Sequence, residues 1–228
     1  MIENRFTTGT KRKNVTNTFI ILSAGVGRRM GCYGPKCLLK HGGESLINRQ
    51  IAVIKKIDTR ADIILVVGFQ ARKVIAQKIP RVRVIENVRY DETNAGESLR
   101  LAMNAAIASN VYVLHGDLVL SKETLTFGKT AGLLVDDRKR IDKTEVGVVM
   151  NGSVITNLSF GLPLKWGQVA YFPAKHFLEL SNVCNHTSSK NKSTFEIINT
   201  MIDRGVVFQA MVDKRGILKE IDSSKDLS

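Results

Sequence analysis

Phe19-Ile20-Ile21-Leu22-Ser23-Ala24-Gly25-Val26-Gly27-Arg28-Arg29-Met30, with Pro35-Lys36-Cys37-Leu38-Leu39 close behind, is the stretch of this 228-residue chain on which the reading turns. Four apolar residues form a short continuous run, the pattern of a strand buried on both faces. The run ends in a loop carrying two glycines, two arginines and then a Pro-Lys pair. Glycine lets backbone N–H groups come close to a ligand, and neighbouring cations offset negative charge, so the loop suits a phosphate chain. Two common phosphate motifs are excluded. No Gly-Lys-Ser/Thr triplet occurs, which removes the P-loop, and the dinucleotide fingerprint G-x-G-x-x-G fails at Met30.

Downstream the chain alternates. Residues 44–57 carry apolar side chains at helical spacing (Leu46, Ile47, Ile51, Ile54, Ile57), and Asp62 to Val67 is a second continuous apolar run closed by Gly68. A short helix through Val74 and Ile75 is stopped by Pro80, and a third strand covers Val82 to Ile85. Residues 96–109 read as a helix, and Val111 to Leu114 as a fourth strand ending in His115-Gly116-Asp117. Such β-α-β alternation signals an α/β fold: a doubly wound, mainly parallel Rossmann-like sheet whose ligands bind beyond the carboxyl ends of the strands. The second half is β-rich and mixed. Strands are expected at 131–135, 145–150, 154–156, 168–172, 206–212 and 216–221, with a charged turn over 136–143. Helices are expected from Pro173 to Leu180 and from Thr194 to Arg204, separated by a polar loop over 182–192.

Composition sets bounds. Hydrophobic residues make up 43%, enough for a sizeable core, and no run approaches the roughly 18 apolar residues of a membrane span. Residues 1–18 lack an apolar signal segment and read as a basic arm before a single domain over 19–228, and the chain reads as cytoplasmic. Three cysteines make no even disulfide framework, and Cys184 with His186 has no second ligand pair at zinc spacing. The formal net charge is +13, with Arg72, Lys73, Lys78, Arg81, Arg83 and Arg89 clustered. That charge draws polyanionic substrates or is simply a solvated face. Nucleic acid is not the favoured partner, since no binding motif accompanies the charge and aromatics are only 6%.

The combination G-x-G-x-R-M with a trailing P-K-x-L-L resembles the entry motif of the nucleotidyltransferases. That family includes the sugar-1-phosphate, phosphocholine and molybdenum-cofactor types. The C-terminal run Glu220-Ile221-Asp222-Ser223-Ser224-Lys225-Asp226-Leu227 is similar to the family's E-[IV]-D-[ST]-x-x-D-L element. The resemblance implies the nucleotide-diphospho-sugar transferase type of fold. It also implies transfer of an NMP from an NTP, with CTP slightly favoured, to a small phosphorylated acceptor such as a sugar-1-phosphate or phosphocholine. Pyrophosphate is released and Mg²⁺ is the cofactor.

Residue by residue, the resemblance implies catalytic roles for Arg29, Lys36 and Asp117, and metal ligation by Asp117, Asp222 and Glu220. Nucleotide contacts fall to Leu22, Ala24, Gly25, Gly27, Arg29, Lys36, Gly68, Gly96, Glu97 and Ser98. Lys165 and Trp166 are the weaker candidates for the acceptor. Physically, both reactants are anionic, so catalysis rests on charge neutralisation and alignment rather than on a protein nucleophile. Bland readings stay open beside these: Asp117 or Asp222 as helix caps, residues 94–99 as an ordinary helix start, Trp166 as core. Arg28, Ser23 and His115 depart from the family pattern, the last leaving no Asp-x-Asp at that strand end. Two other function classes remain: a nucleotide-binding module without catalysis that uses its basic surface for a partner or nucleic acid, and a nucleotide-sugar glycosyltransferase.

Overall fold

The structure is a computed structural model and describes residues 17–27, 34–137, 142–213 and 218–221. Strand β1 (Asn17–Ser23) is buried along its centre, so the apolar run at 19–22 is covered on both faces. Phe19 and Ile21 pack into one core cluster, Ile20 and Leu22 into the other. Burying each of these side chains contributes about 1.5–3 kcal/mol. Thr18, expected in the N-terminal arm, already lies in β1 with its hydroxyl on Ser109 at 2.8 Å.

A two-residue pair, β2 (Lys40–His41) and β3 (Glu44–Ser45), leads into α1 (Leu46–Ile57). The Ser45 hydroxyl caps this helix by accepting from the Asn48 amide, which moves its start two residues past the expected position. Strand β4 (Asp62–Val67), the five-residue helix α2 (Ala71–Ile75) and strand β5 (Arg83–Glu86) follow. Then come α3 (Ala95–Ala105), β6 (Asn110–His115) and the short β7 (Leu118–Val119). Helix α3 ends four residues before its expected limit, because the chain must turn at Ala106 to enter β6.

In the second half, β8 (Ala131–Asp136), β9 (Val146–Asn151), β10 (Val154–Phe160) and β11 (Leu164–Phe172) precede α4 (Phe177–Asn185). Helix α5 (Thr194–Asp203), β12 (Phe208–Val212) and β13 (Lys219–Glu220) complete the described chain. The expected polar loop over 182–192 is a correction: α4 runs on through Asn185, because Val183 and Cys184 complete its buried face, and a 3₁₀ turn follows. Likewise β10 and β11 are each four residues longer than the sequence pattern suggested. The last strand is only two residues long and pairs with β7 outside the main sheet.

The main sheet has nine strands in the order β5-β4-β1-β6-β11-β8-β12-β10-β9. Pairing is parallel from β5 through β6 and between β12 and β8, and antiparallel elsewhere, so the sheet is mixed. Helix α1 packs on one face through Ile47 and Ile54, and α3 on the other through Leu99 and Met103. Because β1, β4 and β6 run in one direction, Ser23, Val67 and His115 end at one edge. Strand β11 runs against β6 with Val169 opposite Leu114. Residues 164–168 therefore lie at that same edge, where β6 leaves the sheet. Two halves of the fold thus deliver their loops to one place. No described helix is long and apolar enough to cross a membrane.

Candidate active site

At this edge the β1 loop turns sharply. Gly27 has φ of +61°, and a Cβ there would sit 3.1 Å from the aliphatic stem of Lys36, so a side chain would displace the lysine. Lys36 lies in a 3₁₀ turn after Pro35 and directs Nζ to Oδ2 of Asp117 at 3.0 Å. Both side chains are only 16% exposed. Residues separated by 81 positions are brought together in this pair.

The turn that carries Asp117 is held from several sides. Gly116 N donates to the Leu22 carbonyl at 2.9 Å, which pins the turn to β1. The Ile221 amide donates to the Asp117 carbonyl at 2.9 Å. Gln50, fully buried on α1, donates its Nε2 to the carbonyls of His115 (2.9 Å) and Leu118 (2.8 Å). Nothing in the sequence marked Gln50, because a glutamine directly after Asn48 and Arg49 on an amphipathic helix reads as solvent-facing.

His115 shares a hydrogen bond with the Thr194 hydroxyl across 3.2 Å, and its ring meets the Trp166 edge at 5.9 Å between centroids. Burial pushes the imidazole below its usual pKa; nearby Asp117 pulls it up and Lys36 adds to the depression. The ring is therefore neutral near pH 7.

Two adjoining cavities open at this edge. One, of about 500 Å³, lies over the β1 loop and reaches Asn87, Tyr90 and Asp117. The other, of about 400 Å³, lies over β11 and the start of α5, and reaches Glu145, Phe160, Lys165 and Phe195. Gly27, Lys36, Asn94, Ala95 and His115 line both. Lys36 therefore stands at the junction, with Asp117 on the first-cavity side.

Of the residues expected at the nucleotide, Leu22, Ala24, Gly25, Gly27, Lys36 and Ser98 line the first cavity. Three do not. Gly68 is buried beneath Tyr90, and a Cβ there would lie 2.6 Å from the tyrosine Cβ and 2.8 Å from the Ala24 carbonyl. Gly96 donates its amide to the Lys192 carbonyl at 2.8 Å and would press a Cβ to 2.0 Å from the Ser189 carbonyl. Glu97 turns away to form a two-point pair with Arg100, which holds its carboxyl below the usual range. The start of α3 is consumed by packing on the 187–192 segment. Asn94 caps that helix, and the cavity wall is supplied instead by Asn87, Tyr90 and Thr93, residues in a loop with no motif to betray them.

The acceptor candidates are both buried. Trp166 is 3% exposed, belongs to the core, and donates Nε1 to the Val169 carbonyl at 3.3 Å, so only part of its ring reaches the second cavity. Lys165 Nζ pairs with Glu145 and, at 3.0 Å, with Glu220. Burial alone would lower the Lys165 pKa, and the two carboxylates outweigh it and raise it. Glu220, expected as a metal ligand, directs Oε2 to Lys165. Gly167 and Gln168 break the β11 register between Trp166 and Ala170, with Gln168 at φ +54°. This bulge aims the glutamine into the second cavity. Phe160 and Phe195, stacked edge to face at 5.3 Å, form its outer wall.

Arg29 and Asp222, expected as phosphate and metal ligands, lie outside the described residues, as does residue 1–16 of the basic arm. No group of three His, Cys, Asp or Glu suited to hold an ion occurs among the described residues. Asp117 nevertheless fits a cation ligand. Its Oδ1 is buried without a hydrogen-bond partner among the described residues, a costly arrangement for a carboxylate that a bound cation relieves.

Residues 19–127 match the model of the MobA-like NTP transferase domain. Over 113 residues, 46% of this chain, the sequence is 33% identical to the bifunctional protein GlmU of Streptomyces coelicolor, and the match spans only 23% of that longer protein. A second GlmU, from Solibacter usitatus, is 32% identical over 111 residues, 24% of its length. Among solved structures, the inositol-1-phosphate CTP transferase from T. maritima superposes with a TM-score of 0.75 at 18% identity, covering 94% of this chain and 92% of that one. The CTP:phosphocholine cytidylyltransferase from Streptococcus pneumoniae gives 0.76 at 20% identity, covering 93% and 96%. The family match is thus confined to residues 19–127, and along nearly its whole length the chain shares the fold of these two solved enzymes.

Proposed function

We propose that the protein transfers a nucleotidyl group from a nucleoside triphosphate to a small phosphorylated acceptor. One acceptor-phosphate oxygen bonds to the α-phosphorus, the bond from that phosphorus to the bridging oxygen breaks, and pyrophosphate leaves. The observation that carries this reading is the junction. Two cavities, each of a size for one reactant, share Lys36, and the carboxylate paired with that lysine belongs to the first. Two phosphates meeting there would be aligned by fixed groups, and such alignment is the main catalytic resource in phosphoryl chemistry.

In this reading the backbone of Ala24 to Gly27 lines the triphosphate, and Lys36, joined by Arg29, neutralises it. Asp117, with Asp222, would hold Mg²⁺, which when bound neutralises phosphate charge and orients the oxygens. Gln50 and the Ile221 amide keep the Asp117 turn in place. Neutral His115, facing both cavities, accepts or donates one hydrogen bond without adding charge to the acceptor's path. The nucleotide favoured is CTP. The acceptor, of the sugar-1-phosphate or phosphocholine kind, lies against Phe160, Phe195 and Gln168.

The test is a pyrophosphate-release screen crossing four NTPs with sugar-1-phosphates and phosphocholine. Release that requires both an NTP and an acceptor supports the proposal. NTP binding without release under every pair would leave a binding module instead.

A further inference from the structure

Lys165 has the position of a ligand and the partners of a staple. Its side chain is 10% exposed at the inner wall of the second cavity, and its ammonium is shared between two carboxylates that come from different parts of the chain. Glu145 stands where the chain enters β9. Its Oε2 accepts from the Asp142 amide at 3.1 Å and its carbonyl from Gly161 at 3.0 Å, so it belongs to the β9–β10 hairpin that forms the cavity's outer wall. Glu220 lies on β13, which pairs with β7, and the next residue gives its amide to the Asp117 carbonyl. Ile221 itself is fully buried against Leu39 and Leu46. A continuous chain of contacts therefore runs from the hairpin through Glu145, Lys165, Glu220 and Ile221 to the Asp117 turn, and from Asp117 to Lys36.

From this connectivity we infer that Lys165 is a positioning residue, not an acceptor-phosphate ligand. It docks β13 so that the Asp117 turn is held at the junction, and it ties that turn to the wall of the acceptor cavity. An ammonium already neutralised by two carboxylates exerts little net pull on an incoming phosphate. Moving it toward one would strand two partly buried carboxylates. The structural half of this inference stands alone, and only its kinetic half rests on the proposed transfer reaction.

The experiment compares Lys165→Met, which keeps the aliphatic stem, with Glu220→Gln and with Lys165→Arg as the conservative rescue. Amide exchange at Ile221 is read by NMR, and steady-state transfer is measured in parallel. The expected result is Ile221 exchange faster by at least about 10-fold in Lys165→Met and Glu220→Gln, restored in Lys165→Arg. With it comes a kcat lower by about 10-fold while the acceptor KM moves less than about 3-fold. Unchanged exchange at Ile221 overturns the docking role. An acceptor KM raised by about 10-fold or more with kcat preserved overturns the positioning role in favour of direct ligation. If Lys165→Met does not fold, Glu220→Gln decides by the same readouts. If the wild type transfers nothing, the exchange measurement still decides for or against the staple, and the failure belongs to the proposed reaction.

Discussion

The two cavities are built by different means. The nucleotide-side cavity is made mostly by loops that follow parallel strands: the β1 loop, the loop from Asn87 to Asn94 and the turn after β6. Its floor is backbone and small residues, and its pieces are contiguous in sequence. The second cavity, proposed for the acceptor, is assembled largely from side chains at 144–146, 160, 165, 166, 168, 193–195 and 220, drawn mostly from the second half of the chain. A cavity made from a few continuous loops constrains the local sequence of each loop. A cavity made from distant side chains is free to vary one position at a time, which suits a common donor and a variable acceptor.

The largest expected effect breaks the junction that joins the two. Asp117→Asn should lower transfer by about 10³-fold, and Lys36→Ala by about 10²-fold, because each removes a fixed charge where phosphate charge is handled. Pyrophosphate release measures both. Circular dichroism should show the fold retained, since neither residue is part of the core clusters.

A second pair of substitutions separates a glycine that lines the first cavity from a glycine packed against protein. Gly96→Ala forces a Cβ against the Ser189 carbonyl and should cost roughly 3 kcal/mol of stability in urea unfolding. Among the described residues nothing lies within 4 Å of a Cβ at Gly25, and Gly25→Ala should leave stability within about 0.5 kcal/mol. Its methyl group faces the nucleotide cavity, so the NTP KM should rise while the acceptor KM stays put.

That contrast explains what could be read from the sequence. The β1 run, the glycine loop, Lys36 and the strand leading to Asp117 were legible because continuous apolar strands and their loops are local patterns. Gly68 and Gly96 misled for a physical reason: glycine serves close approach of any kind, and here the approach is by Tyr90 and by the Ser189 carbonyl. Gln50, Glu145 and Phe160 were invisible, since their roles depend on pairing between segments 20 or more residues apart. Trp166, offered as an acceptor platform, is held in the core by its burial and its bond to Val169.

Phe160 sharpens the comparison further. It is 57% exposed and stacks with Phe195 at the mouth of the second cavity. Phe160→Ser should raise the acceptor KM by about 5-fold and leave the NTP KM unchanged, as initial-rate kinetics with either substrate varied would show.

The smallest effect concerns pH. His115 has a folded-state pKa below its unfolded value of about 6.5, so the unfolded chain binds the extra proton first. The stability from keeping it neutral is present above that pH and is lost as pH falls below it. Replacing it in His115→Asn should flatten the decline in Tm between pH 7.5 and 5.5 by about 2 °C relative to the wild type, followed by differential scanning calorimetry.

The claim on which the rest depends is that one reactant in each cavity meets the other at Lys36 beside Asp117. Single-turnover reaction of the protein with α-labelled CTP and an acceptor that passes the release screen tests it most directly. Label is expected in a nucleotidyl-acceptor product, with pyrophosphate formed in equal amount and neither formed when the acceptor is withheld. Label that remains in CTP, or appears as CMP at a rate indifferent to the acceptor, would contradict it.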